Sequence, residues 1–120
     1  MTAPGATVAA SGALYRIDQI GTGTVTFYHL ADGSYSMRID RFFVTANVDL
    51  EIRLSPLAAP HSTEAYLAAP SVLVAPLDIT VGSLNFPVPP GVDPTKYGSV
   101  VIWCPLISSA YAGSTLAKMS

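Results

Sequence analysis

The sequence predicts an all-β protein, an antiparallel β-sandwich or open barrel of short strands with one short helical turn. Three stretches carry this expectation. Ser99 to Pro105 reads SVVIWCP, a run of β-branched residues ending in the only tryptophan and the only cysteine, which suits a strand covered on both faces. Asp49 to Ser55 (DLEIRLS) alternates, with Leu50, Ile52 and Leu54 on the inward face and Glu51 and Arg53 on the outer one. Asp32-Gly33 lies between two strand-like runs, where a tight turn needs positive φ. No amphipathic helix of ordinary length and no internal repeat accompanies them.

The bulk composition bounds the partners. A chain of 120 residues, 50% hydrophobic and 12% charged, is expected to form one domain that buries roughly two-thirds of its unfolded surface. The net charge of −2, with no cluster of Lys or Arg, argues against nucleic acid or anionic lipid as the ligand. A single cysteine excludes an internal disulfide and a multi-cysteine metal knuckle. The most apolar stretches are cut by Pro70, Pro76 and Pro105, well short of the about 20 residues that a membrane span needs.

Taken in order, residues 1–12 read as a flexible linker rich in Ala, Gly, Thr and Ser, without the charge or apolar block of an intact signal peptide. A removed leader or membrane anchor is expected upstream of a folded domain over residues 13–116, with a loose tail over 117–120. Leu14 to Gln19 is expected as a peripheral strand. Thr24–Leu30 and Ser34–Ile39 form the hairpin. With Asp32 and Gly33 as its two central residues, Leu30 would face Tyr35, Tyr28 would face Met37 and Thr26 would face Ile39 on an apolar side. His29 with Ser36, Phe27 with Arg38 and Val25 with Asp40 would make the polar side. Arg41 to Ala46 is a further strand or a continuation past a bend. Pro56 to Pro70 reads as loop, and Pro76 makes Val72 to Val81 an edge or broken strand. Leu84 to Phe86 leads into a stiff Pro87–Gly91 connection. Asp93-Pro94 caps a helical turn, and Ser108 to Tyr111 closes the fold before a loose end.

In this order the segments TVTFYHLADGS, MRIDRFFV, DLEIRLS, VGSLNFPVP and GVDPTKYGSVVIWC, with Tyr111-Ala112 beyond them, resemble the DM-thirteen domain family. That family occurs in bacterial secreted or lipid-anchored proteins and in Skeletor-type animal proteins. The resemblance runs from about Gly21 to Leu116. It implies a small extracytoplasmic β-sandwich with one hallmark cysteine, matched by Cys104, and a proposed part in electron transfer. The chain departs from the family pattern at Ala46-Asn47-Val48 and at Leu77-Asp78-Ile79.

Cys104 is therefore the redox candidate, with Trp103 as its shield and Asp49 and Tyr97 as supporting residues. A redox partner domain would supply the cofactor, since no second cysteine can resolve an oxidised sulfur. The plainer alternative is a small, buried, inert thiol. A transition-metal site would draw on Cys104, His29 and His61, with oxygen from Asp49 or Asp78, although their spacing follows no ligand motif. A Cys-His-Asp hydrolase is the enzymatic alternative, and Trp103 with Tyr97 could stack a ligand, against a core role for Trp103. At the level of function, electron transfer or thiol redox work stands beside a non-catalytic structural, adhesive or protein-binding module.

Overall fold

The computed structural model describes residues 6–118. Its strands are β1 (Thr7–Arg16), β2 (Gly21–His29), β3 (Tyr35–Val44), β4 (Leu50–Ser55), β5 (Val72–Leu77), β6 (Val81–Pro87), β7 (Ser99–Cys104), β8 (Ser109–Thr115) and β9 (Ala117–Lys118). A five-residue helix α1 (Thr63–Leu67) and a 3-10 turn at Pro94–Lys96 interrupt them. All pairings are antiparallel, in the order β5-β4-β7-β8-β1-β2-β3-β6 with β9 beside β1. The two edge strands, β5 and β6, approach each other, so the sheet curls nearly into a barrel around one apolar interior.

Strand β1 turns the corner. Its first half pairs with β2 through Thr7–Ala13, and its second half pairs with β8 through Leu14–Arg16. The strand expected at the periphery is thus interior to the sheet, and it begins at Thr7 within the expected linker. The reason is steric: β1 lies between β2 and the β8–β9 segment, where small residues are needed. A Cβ on Gly12 would stand 1.9 Å from the Thr115 carbonyl oxygen. Residues 1–5 of the expected linker lie outside the described residues. At the other end, the chain expected to loosen after Gly113 stays paired as far as Lys118, with Ser114 and Leu116 buried, while residues 119–120 of the expected loose tail lie outside the described residues.

The hairpin forms, but one residue out of the expected register. His29 pairs with Tyr35, Phe27 with Met37 and Val25 with Ile39. The loop is Ala31-Asp32-Gly33. The Gly33 N–H donates to the Leu30 carbonyl at 3.0 Å, the Leu30 N–H donates to the Ser34 carbonyl at 2.8 Å, and Gly33 takes φ +91°. This is a three-residue loop in which a type I turn is followed by a left-handed glycine. Because side chains alternate, the shift regroups the faces: Val25, Phe27, Met37 and Ile39 all point inward and are fully buried. Burial of four large apolar side chains outweighs the preference for a two-residue turn.

Other elements follow the sequence more closely. Strand β3 runs continuously to Val44 past a bulge between Ile39 and Phe42, where Arg41 has φ +52°. Leu50, Ile52 and Leu54 of β4 are wholly buried, and β5 with its Pro76 lies at an edge. Asp93 caps the 3-10 turn by accepting from the Thr95 N–H at 2.9 Å. Two elements escaped the sequence reading. Helix α1 sits in the expected loop, capped by Ser62, whose hydroxyl accepts from the Ala65 N–H at 3.0 Å. Strand β6 contains Gly82 and Pro87, which an edge strand tolerates.

Candidate functional site

Strand β7 places the two most distinctive side chains on opposite sides. Val100, Ile102 and Cys104 face the main core, while Val101 and Trp103 face outward and pack with Tyr66, Ala110 and Ile17. Cys104 has 0% exposure and is a free thiol at the end of its strand, paired with Ser109. Trp103 does not shield it, because adjacent residues of a strand point to opposite faces. What covers the sulfur is the apolar interior itself.

The supporting residues do not gather around Cys104. Asp49 is at the same end of the barrel but solvent-exposed, with φ +59° just ahead of β4. Tyr97 precedes β7, at the other end of that strand, where its carbonyl accepts from the Lys118 ammonium at 2.5 Å. It packs on the main core, so it shares no platform with outward-facing Trp103. His29 is exposed and stacks on its cross-strand partner Tyr35, with ring centroids 4.7 Å apart. His61 is exposed and leans on Tyr15, again at 4.7 Å. Among the described residues no three His, Cys, Asp or Glu side chains cluster as metal ligands would. The set of Cys104, His29 and His61 is therefore not assembled.

Three features lay outside the sequence reading. The first is a clamp at Asp18. Its carboxylate accepts from the Ser109 hydroxyl at 2.6 Å and from the Thr63 hydroxyl, and the Thr63 oxygen accepts from the Ala110 N–H at 2.9 Å. These bonds tie α1 to the ends of β1 and β8, and hold the Asp18 carboxyl below its usual range, Ser109 contributing most. No sequence spacing signals this group, since its members are 45 and 91 residues from Asp18.

The second is a groove on the outer face of β4 and β7, of about 590 Å³, between Trp103, Tyr66, Arg53 and the Leu67–Ser71 segment. The third is a crown of apolar side chains. The register brings the β1–β2, β3–β4, β5–β6 and β7–β8 connections to one end of the barrel: Gly21 pairs with Val44, Leu50 with Leu77, Glu51 with Trp103, and Cys104 with Ser109. Hydrogen bonds from Thr45 N to Ile20 O and from Val44 N to Thr80 O link three of them. They carry Ile20 (48% exposed), Val48 (61%), Ile79 (56%), Leu106 (61%) and Ile107 (56%).

The fold and these sites define an antiparallel, barrel-like β domain with a buried thiol and an apolar loop end. Comparison with protein-family models, curated proteins and solved structures finds no match for the chain.

Proposed function

We propose that the chain is a non-catalytic recognition module of the cell envelope, a DM-thirteen-type domain that holds a protein partner on its apolar loop crown. The observation that carries this reading is the gathering of Ile20, Val48, Ile79, Leu106 and Ile107, all strongly exposed, on four loops of one end. Exposed apolar side chains scattered singly need no explanation, whereas their concentration on the loops of one end favours an interaction surface. Loops on a rigid scaffold are also where binding residues concentrate. Among the described residues the first and last strands lie toward the opposite end: Thr7 pairs with His29 beside the hairpin, and Lys118 pairs with Ala10. A thiol-redox role would need a route to a sulfur with no exposed surface and no second cysteine.

Site-specific photo-crosslinking in the native host tests this. A photoreactive residue at position 106 is expected to give one discrete protein adduct, and one at Ser34 on the opposite hairpin none. Equal adduct patterns from both ends, or none from position 106, would discard the crown as a partner site.

A further inference from the structure

Apart from the crown, the outer face of β4 and β7 has the chemistry of a second site. Trp103 lies there half-buried, directly opposite Glu51 in the β4–β7 register, with Arg53 two residues along. Tyr66 from α1 sets the indole from one side, ring centroids 5.0 Å apart and planes inclined by 34°. Tyr66 is itself buried and its hydroxyl bonds the Ser71 hydroxyl at 2.6 Å, so this wall is fixed.

The polar side is equally ordered. Arg53 Nε donates to Ser71 Oγ at 2.7 Å, one terminal nitrogen donates to Glu51 Oε1 at 2.8 Å, and the other donates to the Ser71 carbonyl at 3.2 Å. A guanidinium has five N–H donors, so two remain for a ligand. The Glu51 carboxylate adds acceptor capacity, and the two side chains keep 24% and 27% of their surface exposed. Free guanidinium donors beside an aromatic face, in a groove of about 590 Å³ lined by Arg53, Tyr66, Ser71 and Trp103, with Glu51 hydrogen-bonded to Arg53 next to it, match a small polar molecule with one apolar face. The rim of C–H groups on a pyranose is weakly positive and complements the negative face of an indole, while its hydroxyls exchange hydrogen bonds with groups such as Arg53 and Glu51. Because Arg53 and Glu51 neutralise each other, and the chain carries a net charge of −2, nothing here favours an anion.

We propose that this groove binds a pyranose unit of a neutral glycan, stacked on Trp103 and hydrogen-bonded by Arg53 and Glu51. Trp103 is the only tryptophan, so its fluorescence reports on the groove alone. The full chain is titrated separately with maltohexaose, cellohexaose, chitohexaose and a heparin hexasaccharide. At least one neutral hexaose is expected to shift the emission saturably, with a dissociation constant near or below about 1 mM. Arg53→Ala and Glu51→Ala should each weaken it about tenfold or more while far-UV circular dichroism stays unchanged. Trp103→Phe, followed by calorimetry, should weaken binding severalfold and keep the fold. The proposal is overturned if no neutral hexaose gives a saturable shift, if the affinity is unaltered in both polar variants, or if the heparin fragment binds as well as any neutral one.

Discussion

Cys104→Ser and Cys104→Ala are a pair of substitutions that separate a packed thiol from a reacting one. The sulfur is 0% exposed and packs with Val100 and Ile102 inside the main core. Alanine removes one heavy atom and leaves a small void, at about 1 kcal/mol. Serine keeps the volume closer but buries a hydroxyl among apolar neighbours, which costs about 1–3 kcal/mol when no partner is at hand. Urea unfolding should therefore rank native above alanine and alanine above serine. The same core position sets the reactivity of the native thiol. A domain stable by at least about 5 kcal/mol is globally open in fewer than about one molecule in several thousand, so labelling by an aromatic disulfide reagent should run at least about several thousandfold slower than in urea. Native-state labelling as fast as that of the unfolded chain would refute the argument, as would a serine variant more stable than the alanine one.

The remaining predictions concern the corner strand and the clamp. Gly12→Ala should abolish soluble folded protein or lower Tm by well over 10 °C in order of magnitude, because its Cβ would overlap the Thr115 carbonyl oxygen at 1.9 Å. Gly33→Ala meets no atom within 4 Å and strains only a φ of +91°, so a loss of about 1 kcal/mol by urea titration is expected. Asp18 has its carboxyl lowered by bonds from Ser109 and Thr63. A carboxyl depressed by folding stabilises fully above its unfolded value of about 3.9, and that stabilisation is lost as pH falls through the folded value. Unfolding free energy measured from neutral pH down through the acid range should fall less steeply for Asp18→Asn than for the native chain; parallel curves would remove the clamp.

How far the sequence could be read varied with the range of the forces involved. The β7 strand was legible in full, including which residues share a face, because alternation and β-branching are local properties. Leu50, Ile52 and Leu54 were legible for the same reason, as was the Asp93 cap. The hairpin was recognised while its register was not. Asp-Gly permits both a two-residue and a three-residue loop, and only burial of Phe27 and Met37 together chooses between them. In the candidate sites, Cys104 and Trp103 stood out by their rarity, yet nothing local separates a buried sulfur from a reachable one.

By itself, the order of residues determined an all-β chain, its central buried strand, the hairpin, and an interior rich enough in aliphatic side chains to close. Tertiary structure alone decided that the small-residue segment at Thr7–Ala13 becomes an interior strand and that Asp18 meets Ser109 and Thr63. It also decided that five aliphatic side chains from four separate loops crown one end. The reason is common to all three. Periodicity and turn chemistry act between neighbours in the chain, whereas these contacts join residues tens of positions apart that come together only once the sheet has curled.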